Sequence, residues 1–325
     1  MKPKILVTGA SGFIGCEVSR RLVLEDCRPR FMVRDLLQDR CVIRHPEIEM
    51  VIGDLQDDLS LKQAVKGVDA VIHLGAKATF ESYASLKPTI FDGSVTLMKA
   101  AAKNGVKAFV YSSSLLVYGD NRSQVDEKTI PRPVLDYGRI KLDTERELAM
   151  IAASSGIAFS AIRLPHVYGA MDLYFQQIRQ GLLILPGLGK NIFSHLHVAD
   201  TAKLLIACAQ QGFCGILPVG DDLPATWSEF LALVRRHHAG ARVLVLPEWL
   251  ALAAAYAIAP VRRFRPHPGL ETPGAIRSYN CNIAVKPGLM FKDLGLSPSF
   301  PTIHEGVPAV AKESLLLKNL LFTQV

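Results

Sequence analysis

The sequence predicts an α/β fold, a doubly wound parallel sheet with a smaller C-terminal lobe. Three observations carry that expectation. Short apolar runs with little alternation recur through the first 110 residues, the mark of strands buried on both faces. Helical stretches fall between them, in the βαβ order of a parallel sheet. The first run, Lys4-Ile5-Leu6-Val7, passes directly through Thr8-Gly9-Ala10-Ser11-Gly12-Phe13-Ile14-Gly15 into a periodic helix reaching about Leu24.

That junction is a strand, a glycine turn and a helix N-terminus. Such an end presents unpaired N–H groups and partial positive charge to an anion. Gly9 permits the tight turn, Gly12 lets a pyrophosphate approach the backbone, and Gly15 lets the helix pack close to the strand. The spacing is G-x-x-G-x-x-G. Its place between strand and helix reads as dinucleotide binding rather than as a plain structural turn.

Composition narrows the classes. A length of 325 residues allows one large domain or a domain with a smaller lobe. Hydrophobic content of 49% against 21% charged residues is globular. The net charge of +7 is mild, and the basic residues are scattered apart from a cluster at Arg262, Arg263 and Arg265. No aromatic-plus-basic repeat marks a nucleic-acid partner. An anionic substrate, an acidic membrane surface or no specific partner all stay open. The six cysteines (16, 27, 41, 208, 214 and 281) form no C-x-x-C pair and complete no zinc spacing, so no metal site is expected. Dispersed thiols suit a reducing compartment, and the chain enters a strand with no signal peptide ahead of it, so a cytoplasmic protein is expected.

The chain continues in order. Arg30-Phe31-Met32-Val33 reads as the second strand, with Arg34-Asp35 at its end, where a βαβ nucleotide fold meets the adenosine ribose. Arg34 points to a 2′-phosphate and hence NADP, while Asp35 keeps NAD open. Ile48 to Ile52 is a third strand ending in Gly53-Asp54-Leu55, where Asp54 either meets the adenine amino group or caps the next helix. Leu59 to Val68 is that helix, and Asp69 to Leu74 is the fourth strand. Gly75 and Ala76 at its end are small enough to let a cofactor lie against the backbone. Ser82 to Asn104 is helical with a break near Pro88. Lys107 to Tyr111 is the fifth strand, ending in the hydroxyl run Ser112-Ser113-Ser114 at the edge where open α/β sheets bind ligands.

A helix follows from Asp136 to Ser155. Tyr137 and Lys141 are four apart and share one face of it. A phenol of pKa near 10 is a poor base at neutral pH, and an adjacent ammonium favours its phenolate. Beyond Gly169, Met171 to Leu183 is expected as a helix, Pro186 to Gly189 as a turn, and Asp200 to Gln210 as a helix. His195 and His197 lack a third ligand at metal spacing. Residues 243–260 form the most apolar stretch. Its unbroken part, Trp249 to Ala259, is eleven residues, short of the about 20 that span a bilayer. The stretch reads as a packed lobe helix or, with the arginines to 265, as a peripheral membrane contact.

With these residues assembled, the chain resembles the extended short-chain dehydrogenase/reductase family, over about residues 4 to 310. The resemblance rests on TGASGFIG (8–15), GDLQD (53–57), HLGA (73–76), YSSSLLVYG (111–119), YGRIK (137–141), RLPHVYG (163–169) and HVAD (197–200), in that order. It implies a Rossmann dinucleotide-binding domain over residues 1–169, joined by strands from about 190–220, and a substrate lobe over 170–325. It implies Ser114, Tyr137 and Lys141 as the catalytic set, with Ser112 and Ser113 as second choices for the serine. The cofactor would meet Gly9, Ser11, Gly12, Phe13, Ile14, Gly15, Arg34, Asp54, Leu55, Leu74, Gly75, Ala76, Ser112, Tyr137, Lys141, Pro165 and Val167. Lys77, Leu115, Leu116, His166, Tyr168 and the segment 171–195 would face a small-molecule substrate, and a homodimer is a family expectation.

Two departures from the family pattern stand out. The asparagine that supports the catalytic lysine through water is replaced by Ile90 or Asp92. The asparagine that helps position a nucleotide-sugar diphosphate is replaced by His166. The second departure weakens the sugar reading, and strand-end Arg34-Asp35 looks more like the dihydroflavonol reductase and hydroxysteroid dehydrogenase branches. The expected function is therefore an NADP-preferring oxidoreductase for a carbonyl or secondary alcohol on an apolar molecule. The alternatives are a nucleotide-sugar epimerase or dehydratase holding NAD tightly, and a cofactor sensor without turnover.

Overall fold

Seven parallel strands form the central sheet, in the order β11-β6-β5-β4-β1-β2-β3, in a computed structural model that describes residues 3–25, 27–35, 48–179, 181–237, 242–262, 272–288 and 294–322. The strands are β1 (Lys4–Thr8), β2 (Arg28–Val33), β3 (Glu49–Ile52), β4 (Ala70–His73), β5 (Ala108–Ser114), β6 (Ala158–Leu164) and β11 (Gly215–Pro218). Period-two alternation sends their side chains to two cores. Ile5, Val7, Ile72 and Val110 face α1 (Phe13–Leu24) and α7 (Val198–Gln211). Leu6, Val71 and Phe109 face α2 (Asp58–Ala64), α4 (Gly93–Lys103) and α5 (Asp136–Ser155). Both faces are covered, which is why the strands read as continuous apolar runs.

The order reverses between β1 and β4, so the carboxyl ends of those strands open the crevice where such sheets take ligands. The expected break near Pro88 is a change of helix type. α3 (Tyr83–Lys87) passes into a π-helical turn over Pro88–Asp92 before α4 begins.

The chain returns to the sheet late. β11 pairs with β6, and α7 packs beside α1. Between these, β7 (His166–Tyr168) pairs with β10 (His195–His197), and β9 (Ile192–Phe193) with β12 (Ala225–Thr226). The helix expected over 171–183 is shorter. α6 covers Leu173–Arg179, and Gly181, at φ +95°, turns the chain so that Leu182 opens β8 (Leu182–Pro186). β8 pairs in parallel with β13 (Arg242–Leu246). The 243–260 stretch thus divides at Pro247 into β13 and α9 (Glu248–Arg262). The side chains of Arg262, Arg263 and Arg265 lie outside the described residues. The lobe core joins Tyr168, Phe175, Trp227, Phe230 and Tyr279 to α8 (Trp227–His237), α10 (Pro273–Ser278) and α11 (Ile303–Phe322).

Candidate active site

The glycine turn is built for an anion. Gly9 sits at φ +71°, and a Cβ there would lie 2.7 Å from the backbone nitrogen of Gly75. A Cβ on Gly15 would lie 2.0 Å from the Gly9 carbonyl oxygen. Helix α1 has no side-chain cap at Gly12 and no acid in its first turn. Its first N–H groups are therefore presented to whatever binds there. By contrast, α2 is closed by Asp57, which accepts from the Leu59 N–H, with Asp58 beside it. This open, uncapped cradle fits a dinucleotide pyrophosphate. Ser11 is half-buried beside it. Phe13 packs beneath Gly169 and Ile14 against the core, so these two offer the cradle backbone rather than side chains.

Arg34, expected at the adenosine ribose, is exposed where β2 stops. Asp54 does not cap α2, since Asp57 does. Its Oδ1 accepts from the Gln56 N–H at 2.9 Å. Leu55 is buried under Gly93 and Leu74 packs on the core. Gly75 donates its N–H to Thr8 Oγ1, and Ala76 packs in one cluster with Tyr137.

The three serines at the end of β5 have separate fates. Ser112 donates to the His73 carbonyl at 3.0 Å, and Ser113 donates to buried Glu145. Ser114 is half-buried, and its Oγ accepts the Leu116 N–H at 3.2 Å, which leaves its own proton to give. Of the run, Ser114 is the hydroxyl whose proton the scaffold has not taken.

Tyr137 and Lys141 project from the first two turns of α5. The Lys141 Nζ lies 5.8 Å from the Tyr137 ring centroid, 4.7 Å from that of Tyr111, and donates to the Ser112 carbonyl at 2.7 Å. Lys141 is 2% exposed. Burial lowers its pKa to about 7, against the opposing pull of Glu145 one turn on. Burial also raises the Tyr137 phenol to about 12. Gly138 lets this helix approach, since a Cβ there would meet the Leu116 carbonyl at 2.3 Å.

Two buried networks under the site were not visible in the motifs. Glu145 pairs with Arg163 at 2.7 Å, both nearly inaccessible, and Arg163 donates to the Tyr118 hydroxyl at 2.8 Å. The signal in the sequence was the spacing Lys141–Glu145, four apart on the catalytic face. In the second network, Thr8 Oγ1 lies 2.6 Å from His73 Nδ1, and His73 Nε2 lies 2.8 Å from Ser94 Oγ. Ser94 donates to the Ile90 carbonyl, so it accepts from His73 Nε2–H, and Nδ1 accepts from Thr8. His73 is thereby neutral, its pKa lowered to about 3 by burial and by the Lys141 charge. Ile90, where the family carries asparagine, is packed against Leu86 and Ile140, and Asp92 pairs with Lys87. Neither side chain reaches the lysine by a hydrogen bond.

Several residues expected at the substrate are placed elsewhere. Leu115, Leu116 and Tyr168 are buried in the lobe core. Lys77 is held by Glu81 at 2.7 Å and Ser85 at 3.1 Å. His166 turns into the lobe. Its Nδ1 lies 2.9 Å from His195 Nδ1 and its Nε2 3.5 Å from Asp172, among Tyr174, Trp227 and Phe230. Val167 packs on the core, which leaves Pro165 half-buried at this strand junction. His197 caps α7 by accepting the Ala199 N–H.

The uncharacterized protein y4nG of Sinorhizobium fredii is 30% identical over 251 residues, covering 74% of this chain and 62% of that protein. The N-acetyl-alpha-D-glucosaminyl-diphospho-ditrans,octacis-undecaprenol 4-epimerase of Escherichia coli O157:H7 is 29% identical over 224 residues, covering 63% of this chain and 62% of that protein. The match therefore spans less than two thirds of either relative. The UDP-glucose 4-epimerase of Thermus thermophilus in complex with NAD has the same fold, with a TM-score of 0.77 at 19% identity over 96% of this chain and 99% of that one. Residues 5–216, which contain all but the ends of the sheet, the glycine cradle and all three candidate catalytic side chains, match the NAD dependent epimerase/dehydratase family model, and the chain belongs to that family.

Proposed function

We propose that the chain is an epimerase or dehydratase acting on a sugar carried by a diphosphate, with NAD held as a resident cofactor. The reading is carried by the Tyr137–Lys141 pair beside an open glycine cradle, inside the segment that matches the family. Its relatives favour it over the net oxidoreductase expected from Arg34 and the apolar lobe.

The residues have distinct tasks in this reading. The N–H groups of α1 and the Gly75–Ala76 edge would hold the cofactor's pyrophosphate and its nicotinamide half. Bound NAD supplies a hydride acceptor and, later, a donor. Tyr137 takes the proton of the reacting hydroxyl and returns it, and Ser114 donates a hydrogen bond to the same oxygen. Lys141, fixed by the Ser112 carbonyl, favours the phenolate through its charge. The lobe excludes water while the keto sugar exists.

Heat-released cofactor from the purified protein tests the resident-NAD part. Bound NAD at near one per chain supports it, and empty protein that consumes added NADPH against apolar carbonyls overturns it. That second reading, an NADP-linked reductase, is favoured by one observation, the exposed Arg34 at the end of β2. Calorimetry of NADPH against NADH on wild type and Arg34→Ala decides between them. An NADPH preference lost in the variant places the 2′-phosphate on Arg34.

A further inference from the structure

Helix α9 is apolar on all sides, yet only one side is covered. Ala251 and Ala255 pack against Leu246, Leu252 and Ile276. Opposite them Trp249 is 71% exposed with Tyr256 on the same face, and Leu250 and Ile258 are exposed elsewhere around the helix. A helix apolar all round belongs inside a core or in lipid. Pro247 joins it to β13, whose pairing with β8 sets Leu244 opposite Ile184 and Arg242 opposite Leu182, all four exposed. Eight of the twenty large apolar side chains exposed among the described residues lie on β8, β13 and α9. Scattered single apolar residues need no explanation, whereas this concentration does.

Charge and length select the occupant. Arg235 and Arg236 are exposed at the end of α8, Arg242 on β13, and Arg277 lies against the Tyr256 hydroxyl. Glu248 is the one acid between residues 230 and 262. A two-fold dimer through this face would bring the same arginines against one another. An anionic lipid surface would instead neutralise them, with Trp249 and Tyr256 at headgroup depth. The fifteen residues of α9 rise about 22 Å, short of the roughly 30 Å hydrocarbon core. No described helix is long and apolar enough to cross a membrane. We propose that α9 and the β8–β13 ribbon seat the protein on an anionic phospholipid bilayer, with α9 lying in the headgroup region. This holds whichever substrate the active site takes.

The chain offers its own probe. It has two tryptophans, Trp227 in the lobe core at 4% exposure and Trp249 at 71%, so a change in emission reports α9. The full chain is mixed with phosphatidylcholine vesicles, with and without about one-third phosphatidylglycerol. The expected result is flotation with the anionic vesicles, a blue shift of emission that Trp249→Phe removes, and release by salt. Arg242→Gln should lower partitioning about fivefold, the equivalent of roughly 1 kcal/mol per cation. Trp249→Glu with Leu250→Glu should abolish binding with an unchanged circular dichroism spectrum, since both side chains are exposed. No flotation at low salt overturns the proposal. So does flotation with Trp249 emission unchanged, or a lipid-free dimer in light scattering whose Trp249 is already shielded from iodide.

Discussion

The ammonium of Lys141 is pinned to the carbonyl oxygen of Ser112, 2.7 Å away, and so is held beneath the Tyr137 ring instead of free in the crevice. Strand β5 thereby positions the cation that, in the proposed mechanism, would tune the phenol. Tyr137→Phe is expected to lower kcat by about 10²- to 10⁴-fold with cofactor binding retained. Lys141→Met should move the acidic limb of the pH–rate profile to higher pH, because the phenolate that accepts the proton loses its neighbouring charge. An unmoved limb in Lys141→Met, measured on kcat/KM, would take the tuning role from Lys141.

Glu145 and Arg163 form a buried ion pair whose loss leaves a charge without its partner. Glu145→Ala should cost about 3–5 kcal/mol of stability in denaturant unfolding. Ser113→Ala removes one neutral donor to the same carboxylate and should cost less, about 1–2 kcal/mol.

Asp221 is buried and accepts the His195 N–H at 3.1 Å. Burial raises its carboxyl to about 8 from 3.8. A folded pKa above the unfolded one means that the folded state binds the extra proton, so stability is lost as pH rises from about 4 to about 8. Asp221→Asn keeps the acceptor and cannot ionise. Its Tm should match wild type near pH 4 and exceed it increasingly toward pH 8, at up to roughly 1.4 kcal/mol per pH unit. A Tm difference flat with pH would show that Asp221 titrates normally.

Gly9→Ala should weaken cofactor binding at least about tenfold in calorimetry, since its Cβ would meet the backbone of Gly75 at 2.7 Å as well as strain φ. Gly67→Ala is the control. It has φ +64° with nothing within 4 Å of the added carbon. Equal effects from the two would reduce Gly9 to a backbone-strain position.

The sheet was legible because its strands are short apolar runs ending in polar edges, and Pro88 announced its own irregularity. Tyr137 and Lys141 were legible because spacing alone puts them on one helix face. The roles of the serine run were not, because they depend on partners far along the chain. Ser113 meets Glu145, 32 residues away, and Ser112 meets the His73 carbonyl, 39 residues away. The surroundings of His166 and Tyr168 were hidden for a related reason. Their motif follows β6 directly, but Tyr174, Trp227 and Phe230 pack with them in a lobe core that local periodicity does not reveal. Residues 171–183 read as one helix until Gly181 redirected the chain into β8.

The proposed function stands or falls on turnover of a diphosphate-linked sugar without net redox change. Proton NMR of UDP-glucose and UDP-N-acetylglucosamine, incubated with the purified protein and no added cofactor, reads that turnover. A new anomeric signal from an epimer or a dehydrated keto sugar is expected, with absorbance at the reduced-nicotinamide band unchanged at steady state and both products lost in Tyr137→Phe. Unchanged sugars, together with stoichiometric NADPH oxidation against an apolar carbonyl compound, would contradict it.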